Sequence, residues 1–120
     1  MSYLGKLIIS LIILMLAACG GAQLYHQQLV NLDKGISPER AAAVLQQAPS
    51  AVYDTVVDGN AYKFYRYYLN NGRLNDTYLL CFEGDKLKYW GYIEEFRRYP
   101  DPRINRATED VLVQMKAEER

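Results

Sequence analysis

The side chains able to do covalent chemistry are few: the 120-residue chain has one histidine, His26, and two cysteines, Cys19 and Cys81. A nucleophile needs a histidine or equivalent base within reach of a hydroxyl or thiol. His26 has no nucleophile beside it and no carboxylate to orient its ring, so it reads as a solvated helix residue. Glu94-Glu95 suggests the carboxylate pair of a glycosidase. Neighbours on a strand point to opposite faces, however, so the two cannot flank one bond without a bulge. A metal site would need clustered His, Cys or acidic ligands, and the chain has no CxxC and no spaced acidic loop. Glycine-rich phosphate loops are absent too. The sequence therefore predicts no catalytic residue, no metal and no cofactor, and a protein that is not an enzyme. Cys81 lies in the apolar run Tyr78-Leu79-Leu80-Cys81-Phe82 and reads as a buried hydrophobe rather than a reactive thiol.

Cys19 is different because of what precedes it. Met1 to Lys6 supplies a basic side chain, Leu7 to Leu16 is an unbroken apolar or small stretch, and Leu16-Ala17-Ala18-Cys19 follows. These are the three regions of a secretory signal. A bilayer span needs about 20 apolar residues, and this run is much shorter, so a retained transmembrane helix is the weaker reading. Leu-Ala-Ala-Cys resembles the bacterial lipobox, in which the thiol is diacylated, the signal is removed before the cysteine, and the new amine is usually acylated as well. One acyl chain holds a protein only marginally, at about 0.8 kcal/mol per buried CH2, whereas two or three hold it durably. Gly20 stands where an aspartate would resemble an inner-membrane retention signal. The expectation is a signal peptide over 1–18, a lipidated tether over 19–23 with Cys19 as the modified residue, and residence on the periplasmic face of the outer membrane.

Removal of 1–18 would take away one lysine, Lys6, and none of the 14 acidic residues. The remainder is nearly neutral and is large enough for one modest core. Neutrality weakens nucleic acid as a partner, because duplex binding needs a basic face. Half of the chain is hydrophobic, which argues against disorder.

A single domain is expected over 24–120. Leu24 to Leu32 predicts a short, poorly capped helix. Gly35-Ile36-Ser37-Pro38-Glu39 then supplies a helix stop, an apolar residue that can staple against Ala41, an N-cap, proline at the first helical position and an acid in the first turn. Pro49 ends that helix. From Ala51 the hydrophobic period changes from 3.6 to 2, predicting strands over Ala51–Val57, Asn60–Leu69, Thr77–Glu83 and Lys86–Glu94. Asp58-Gly59 and Gly84-Asp85 are the tight turns and Asn70-Asn71-Gly72 the break. Leu80, Phe82, Leu87, Tyr89 and Ile93 are assigned one core face. In the second strand neither alternating set is purely apolar, so its register stays open. Tyr99-Pro100-Asp101-Pro102 ends the sheet, and Arg97, Arg98, Arg103 and Arg106 make the connection basic. A last helix is expected over 107–120, starting near Thr108 and fraying at Glu118 and Glu119, where the helix dipole disfavours anions. The fold class is α+β: two short N-terminal helices packed on one face of an antiparallel β-meander of three to four strands, plus a C-terminal helix.

Two helices and a meander, with Gly35-Ile36-Ser37 opening the second helix and Leu45 and Pro49 closing it, resemble the SmpA/OmlA-type small outer-membrane lipoprotein domain. Tyr62, Phe64, Tyr78, Leu80, Phe82, Gly84, Lys86 and Leu87 can be laid on that family's strand pattern, so the likeness runs from about Leu29 to Phe96. The usual glycine at the helix end is missing from Leu45-Gln46-Gln47-Ala48-Pro49, and Gly84 precedes Asp85 rather than following an acidic or amide residue. Both departures mark a divergent member. The family includes the small lipoprotein subunit of the outer-membrane β-barrel assembly machinery. The resemblance thus implies the fold, the compartment and a role as an assembly accessory, without carrying over that subunit's binding residues.

If helices cover only one face of the sheet, Trp90 and Tyr92 are left on the other. Tyr and Trp suit contact surfaces because they bury much area with few rotors. Trp90 and Tyr92, with Arg97 and Arg98, are the predicted partner-binding residues. The expected function is a non-catalytic scaffold or accessory that binds an envelope protein. The alternative is a periplasmic inhibitor or ligand-binding module using the aromatic sheet face.

Overall fold

The computed structural model of the chain describes residues 24–70 and 75–119. The expected signal and tether, with Cys19, and the break at Asn71-Gly72 lie outside the described residues. In chain order the elements are α1 (His26–Leu29), α2 (Pro38–Leu45), β1 (Ala51–Val57), β2 (Asn60–Asn70), β3 (Asn75–Glu83), β4 (Lys86–Tyr92), α3 (Ile93–Arg98) and α4 (Pro102–Glu118). The fold is the expected α+β arrangement: a four-stranded antiparallel meander in the order β1-β2-β3-β4, two short N-terminal helices on one face, and a C-terminal helix.

Local chemistry accounts for the boundaries. Ser37 Oγ accepts from the Arg40 N–H at 3.1 Å and Pro38 occupies the first turn of α2. Gln46 closes that helix with φ 56°, a left-handed residue where glycine is usual, and its N–H reaches the Ala42 and Ala43 carbonyls. Gln28 of α1 donates to the Leu45 carbonyl at 2.6 Å, which ties the two helices together. Both expected hairpin turns have positive φ at their two central residues, Asp58 and Gly59 (51° and 79°) and Gly84 and Asp85 (55° and 62°). That is the turn whose twist matches the strands it joins.

The register left open in β2 is set by Ala51↔Arg66 through Val57↔Asn60. Tyr62, Phe64, Arg66 and Tyr68 face one side of the sheet, and Lys63, Tyr65, Tyr67 and Leu69 the other. Beyond Arg66, where β1 has left, Leu24 takes its place along β2. The Leu24 N–H donates to the Tyr68 carbonyl and the Asn70 N–H to the Leu24 carbonyl, each at 2.8 Å.

Both faces of the sheet are covered, which corrects the expectation of one bare face. On the α1/α2 side Leu24, Tyr67, Leu69, Leu80 and Phe82 pack with Leu45 of α2, all fully buried. On the α3/α4 side Tyr53, Tyr62, Phe64, Leu79 and Cys81 pack with Phe96 of α3. The second layer exists because the chain after Tyr92 is helical, whereas a strand to Glu94 and an irregular connection were expected. Asp101 caps α4 by accepting from the Arg103 and Ile104 N–H groups at 2.9 and 3.4 Å, and Pro102 sits at its first position. The helix therefore begins six residues before the expected Thr108. Thr108 itself is buried in the helix interior, its hydroxyl donating to the Ile104 carbonyl at 2.7 Å. The C-terminal turn is held rather than frayed: Glu118 accepts from the Tyr53 hydroxyl at 2.7 Å and faces Arg66 at 3.6 Å.

A second correction follows from one residue. Phe82 pairs with Leu87, but its neighbour Cys81 pairs with Tyr89, so Lys88 is an extra residue bulged out of β4. A one-residue slip exchanges faces. Leu80, Phe82 and Leu87 remain on the α1/α2 side as expected, while Tyr89 and Ile93 pack on the α3/α4 side.

Candidate functional site

The bulge also decides where the predicted contact residues go. Trp90, opposite Leu80, and Tyr92, opposite Tyr78, turn toward the α1/α2 layer and are half-buried against its core, not displayed on an open face. The Tyr92 ring meets Tyr78 edge-on at 5.2 Å between centroids. Arg97 lies on the other layer, held by Glu94 at 2.8 Å and by Glu109 of α4 at 3.5 Å. Arg98 is exposed on α3. Trp90 and Tyr92 thus share one side of the sheet, and the two arginines do not join them in one patch. The basic connection is likewise divided between helices, with Arg97 and Arg98 on α3 and Arg103 and Arg106 on α4, where Arg106 pairs with Asp58.

A cleft of about 680 Å³ opens between the start of β3, the end of β4 and α3, lined by Asp76, Thr77, Tyr92, Ile93, Glu94 and Glu95. Glu95 accepts from the Tyr92 N–H at 3.0 Å, satisfying one of the free donors at the start of α3. Its side chain folds over Gly91, where a Cβ would stand 3.1 Å from the Glu95 carboxylate and would push that side chain back by a few tenths of an ångström. The Tyr92 hydroxyl lies 3.5 Å from His26 Nε2 at the rim. Burial, and then the Asp76 and Glu95 carboxylates, raise the Tyr92 pKa, so the phenol stays protonated and can both donate and accept. Carboxylates beside a protonated phenol suit hydrogen bonding and a positively charged group.

Glu94 and Glu95 were read as strand neighbours on opposite faces; in the structure they form the first turn of a helix. The reciprocal half-cap from Glu95 to the Tyr92 N–H has a counterpart in Gln28, whose side chain accepts from the Tyr25 N–H at 2.9 Å. An aromatic residue followed three positions later by Glu or Gln was the signal available in the sequence for both helix starts. No local pattern could have announced the approach of His26 to Tyr92, which are 66 positions apart.

Cys81 is fully buried, and desolvation, reinforced by the Glu83 and Asp101 charges, pushes its thiol up to about 12. The tyrosines are largely core. Tyr67 donates to the Gln47 carbonyl at 2.9 Å and Tyr62 to Glu83 at 2.8 Å, which lets large rings be buried without orphaned hydroxyls. Among the described residues no group of three or more His, Cys, Asp or Glu is placed to hold a metal ion, and no helix is long and apolar enough to cross a membrane. No protein-family model, curated protein or solved structure matches the chain.

Proposed function

We propose that the chain is a bacterial outer-membrane lipoprotein, held by acyl chains on Cys19, whose domain docks on an envelope protein as a non-catalytic scaffold or accessory. The observation that carries the reading is Leu16-Ala17-Ala18-Cys19 behind an apolar stretch with a basic flank. The geometry of the domain is compatible with such an anchor. Leu24 is clamped to β2 only five residues after Cys19, and an extended chain of that length spans at most about 17 Å. The end of the domain bearing α1, the end of β2 and the cleft would then lie nearest the lipid, with the Asp58-Gly59 and Gly84-Asp85 turns farther out. The likeness to the SmpA/OmlA-type domain gives the finer form of the proposal, an accessory in outer-membrane protein assembly. The cleft beside Tyr92 favours a second reading, a periplasmic inhibitor or ligand-binding module.

Mass spectrometry of the purified full-length protein, with acyl labelling and membrane fractionation, tests the anchor. The expected result is a mature chain that begins at Cys19 and carries acyl groups of the palmitate class, and a Cys19→Ala variant that leaves the membrane fraction. A protein free of fatty acid with residues 1–18 still attached would refute it.

A further inference from the structure

We propose that the outer edge of β1 accepts an extended segment of a partner protein as a further strand, a segment in which apolar residues alternate with lysine or arginine. This deepens the docking reading above by naming the surface and the chemistry of what binds there.

The ladder dictates which backbone groups are free. The two-residue turn at Asp58-Gly59 makes Val57↔Asn60 a hydrogen-bonded pair, so by alternation Thr55, Tyr53 and Ala51 also bond to β2. Val52, Asp54 and Val56 then direct both their N–H and their C=O groups away from the sheet. The position of Gln114 agrees, since its side-chain amide donates to the outward Asp54 carbonyl at 3.1 Å. Val52 and Val56 have no backbone partner beyond the ladder among the described residues. The opposite edge of the sheet is occupied at its centre: the Gly35 N–H donates to the Leu87 carbonyl and the Leu87 N–H to the Ile36 carbonyl, each at 2.8 Å. An uncovered edge strand is a template for another chain, and such edges are ordinarily blunted by proline, bulges or covering segments. β1 contains no proline and no bulge, and α4 reaches over its edge at one outward group, where Gln114 holds the Asp54 carbonyl that an incoming strand would take over.

The side chains of the same three residues emerge on the side of the sheet that carries α1 and α2. Val52 is 47% and Val56 68% exposed, among the few large hydrophobic side chains in the described residues left open to solvent. Between them the Asp54 carboxylate is matched by Lys63 at 3.5 Å, so this side of the strand is apolar with its charge balanced. The other side of the edge is acidic. Asp110 of α4 accepts from the Thr55 hydroxyl and from Gln114, and no ion pair reaches it among the described residues. Glu118, which lies against Tyr53 two positions along β1, already faces Arg66 at 3.6 Å, so Asp110 is the carboxylate left for a cation. A strand added at this edge would therefore meet valines on one face and, opposite Thr55, the Asp110 carboxylate on the other. A second copy of this chain fits poorly: in antiparallel self-pairing centred on Asp54, that residue faces its own copy, and like charges directly opposite are destabilising. A foreign segment with a cation at every other position is the complement.

The test uses full-length protein, nitrogen-labelled for NMR, and the peptide Thr-Val-Lys-Val-Lys-Val-Thr, read by amide shifts and hydrogen exchange. Its outcome does not depend on whether Cys19 is acylated, so failure here and failure of the anchor are separate results. The expected result is slowed exchange at the Val52, Asp54 and Val56 amides with little change on β4. Val52→Pro with Val56→Pro removes two outward donors without touching the β1–β2 ladder, and should weaken binding about tenfold or more. Asp110→Lys, which leaves the strand intact, should weaken this peptide and favour the version with glutamate in place of lysine. The proposal is overturned if the peptide leaves the three amides unprotected, if it protects other strands instead, if the chain pairs with itself through β1, or if Asp110→Lys leaves the preference for lysine over glutamate unchanged.

Discussion

Deleting Lys88 should be tolerated nearly as well as replacing it with alanine, because the bulged residue has no partner on β3. Leu87 is opposite Phe82 and Tyr89 opposite Cys81, so removing the residue between them closes the bulge into a regular ladder and leaves every later side chain on its present face. What either change removes is the ion pair of the half-exposed Lys88 ammonium with Glu83 at 3.6 Å, of a kind that contributes about 0–1 kcal/mol. Tyr89→Ala is the contrast, since it removes the stacked contact with Tyr99 at 4.1 Å and the edge contact with Phe96 at 4.8 Å. Such aromatic pairs contribute about 0.5–1.5 kcal/mol each beyond burial, and the lost burial of this half-buried ring costs about 1 kcal/mol more. The sum, about 2–4 kcal/mol, is a large part of what holds a domain of this size together. Urea unfolding followed by Trp90 fluorescence would measure all three variants. An unfolding midpoint for the deletion as low as that of Tyr89→Ala would refute the idea that the bulge sets which side chains face which layer.

Gln46→Gly should stabilise the protein by about 0.5–1 kcal/mol, because the left-handed backbone at φ 56° strains a residue bearing a Cβ but not glycine. Gln46→Ala keeps the Cβ and should show no such gain in thermal unfolding. At alkaline pH the tyrosines set the stability. Burial, then hydrogen bonding to Glu118 and Glu83 respectively, raises Tyr53 and Tyr62 from 10.0 to about 12. Folding therefore favours the protonated phenols, their contribution is complete below pH 10, and it is lost as the pH rises through 12. Tyr53→Phe should reduce that alkaline slope in urea midpoints; an unchanged slope would count against the assignment.

Elements written in local chemistry were legible in the sequence. Ser37-Pro38-Glu39 announced α2, and Asp58-Gly59 and Gly84-Asp85 announced the two hairpins, because a cap or a positive-φ turn is decided within four residues. Asp101-Pro102 carried the same kind of start signal as Ser37-Pro38. It was masked by Tyr99-Pro100 just before it, which reads as the end of a sheet. The bulge at Lys88 was not legible, since an alternating strand looks the same with either parity until its partner is known. That one ambiguity moved Tyr89 across the sheet and, with the missed α3, led Trp90 and Tyr92 to be assigned to a bare face. The cleft was hidden for the same reason: Glu94 and Glu95 line it only because the chain turns helical at Ile93.

The clamp at Leu24 determines how a pull on the N-terminal end enters the domain. Tension arriving there is delivered by two hydrogen bonds to β2, which is zipped to β1 along one side and to β3 along the other. Leu24 itself lies at the sheet margin, beyond the end of β1, so its two bonds bear the load first; once they part, the pull passes along the chain to α1 and α2 before it reaches β1, and the later helices α3 and α4 feel it last.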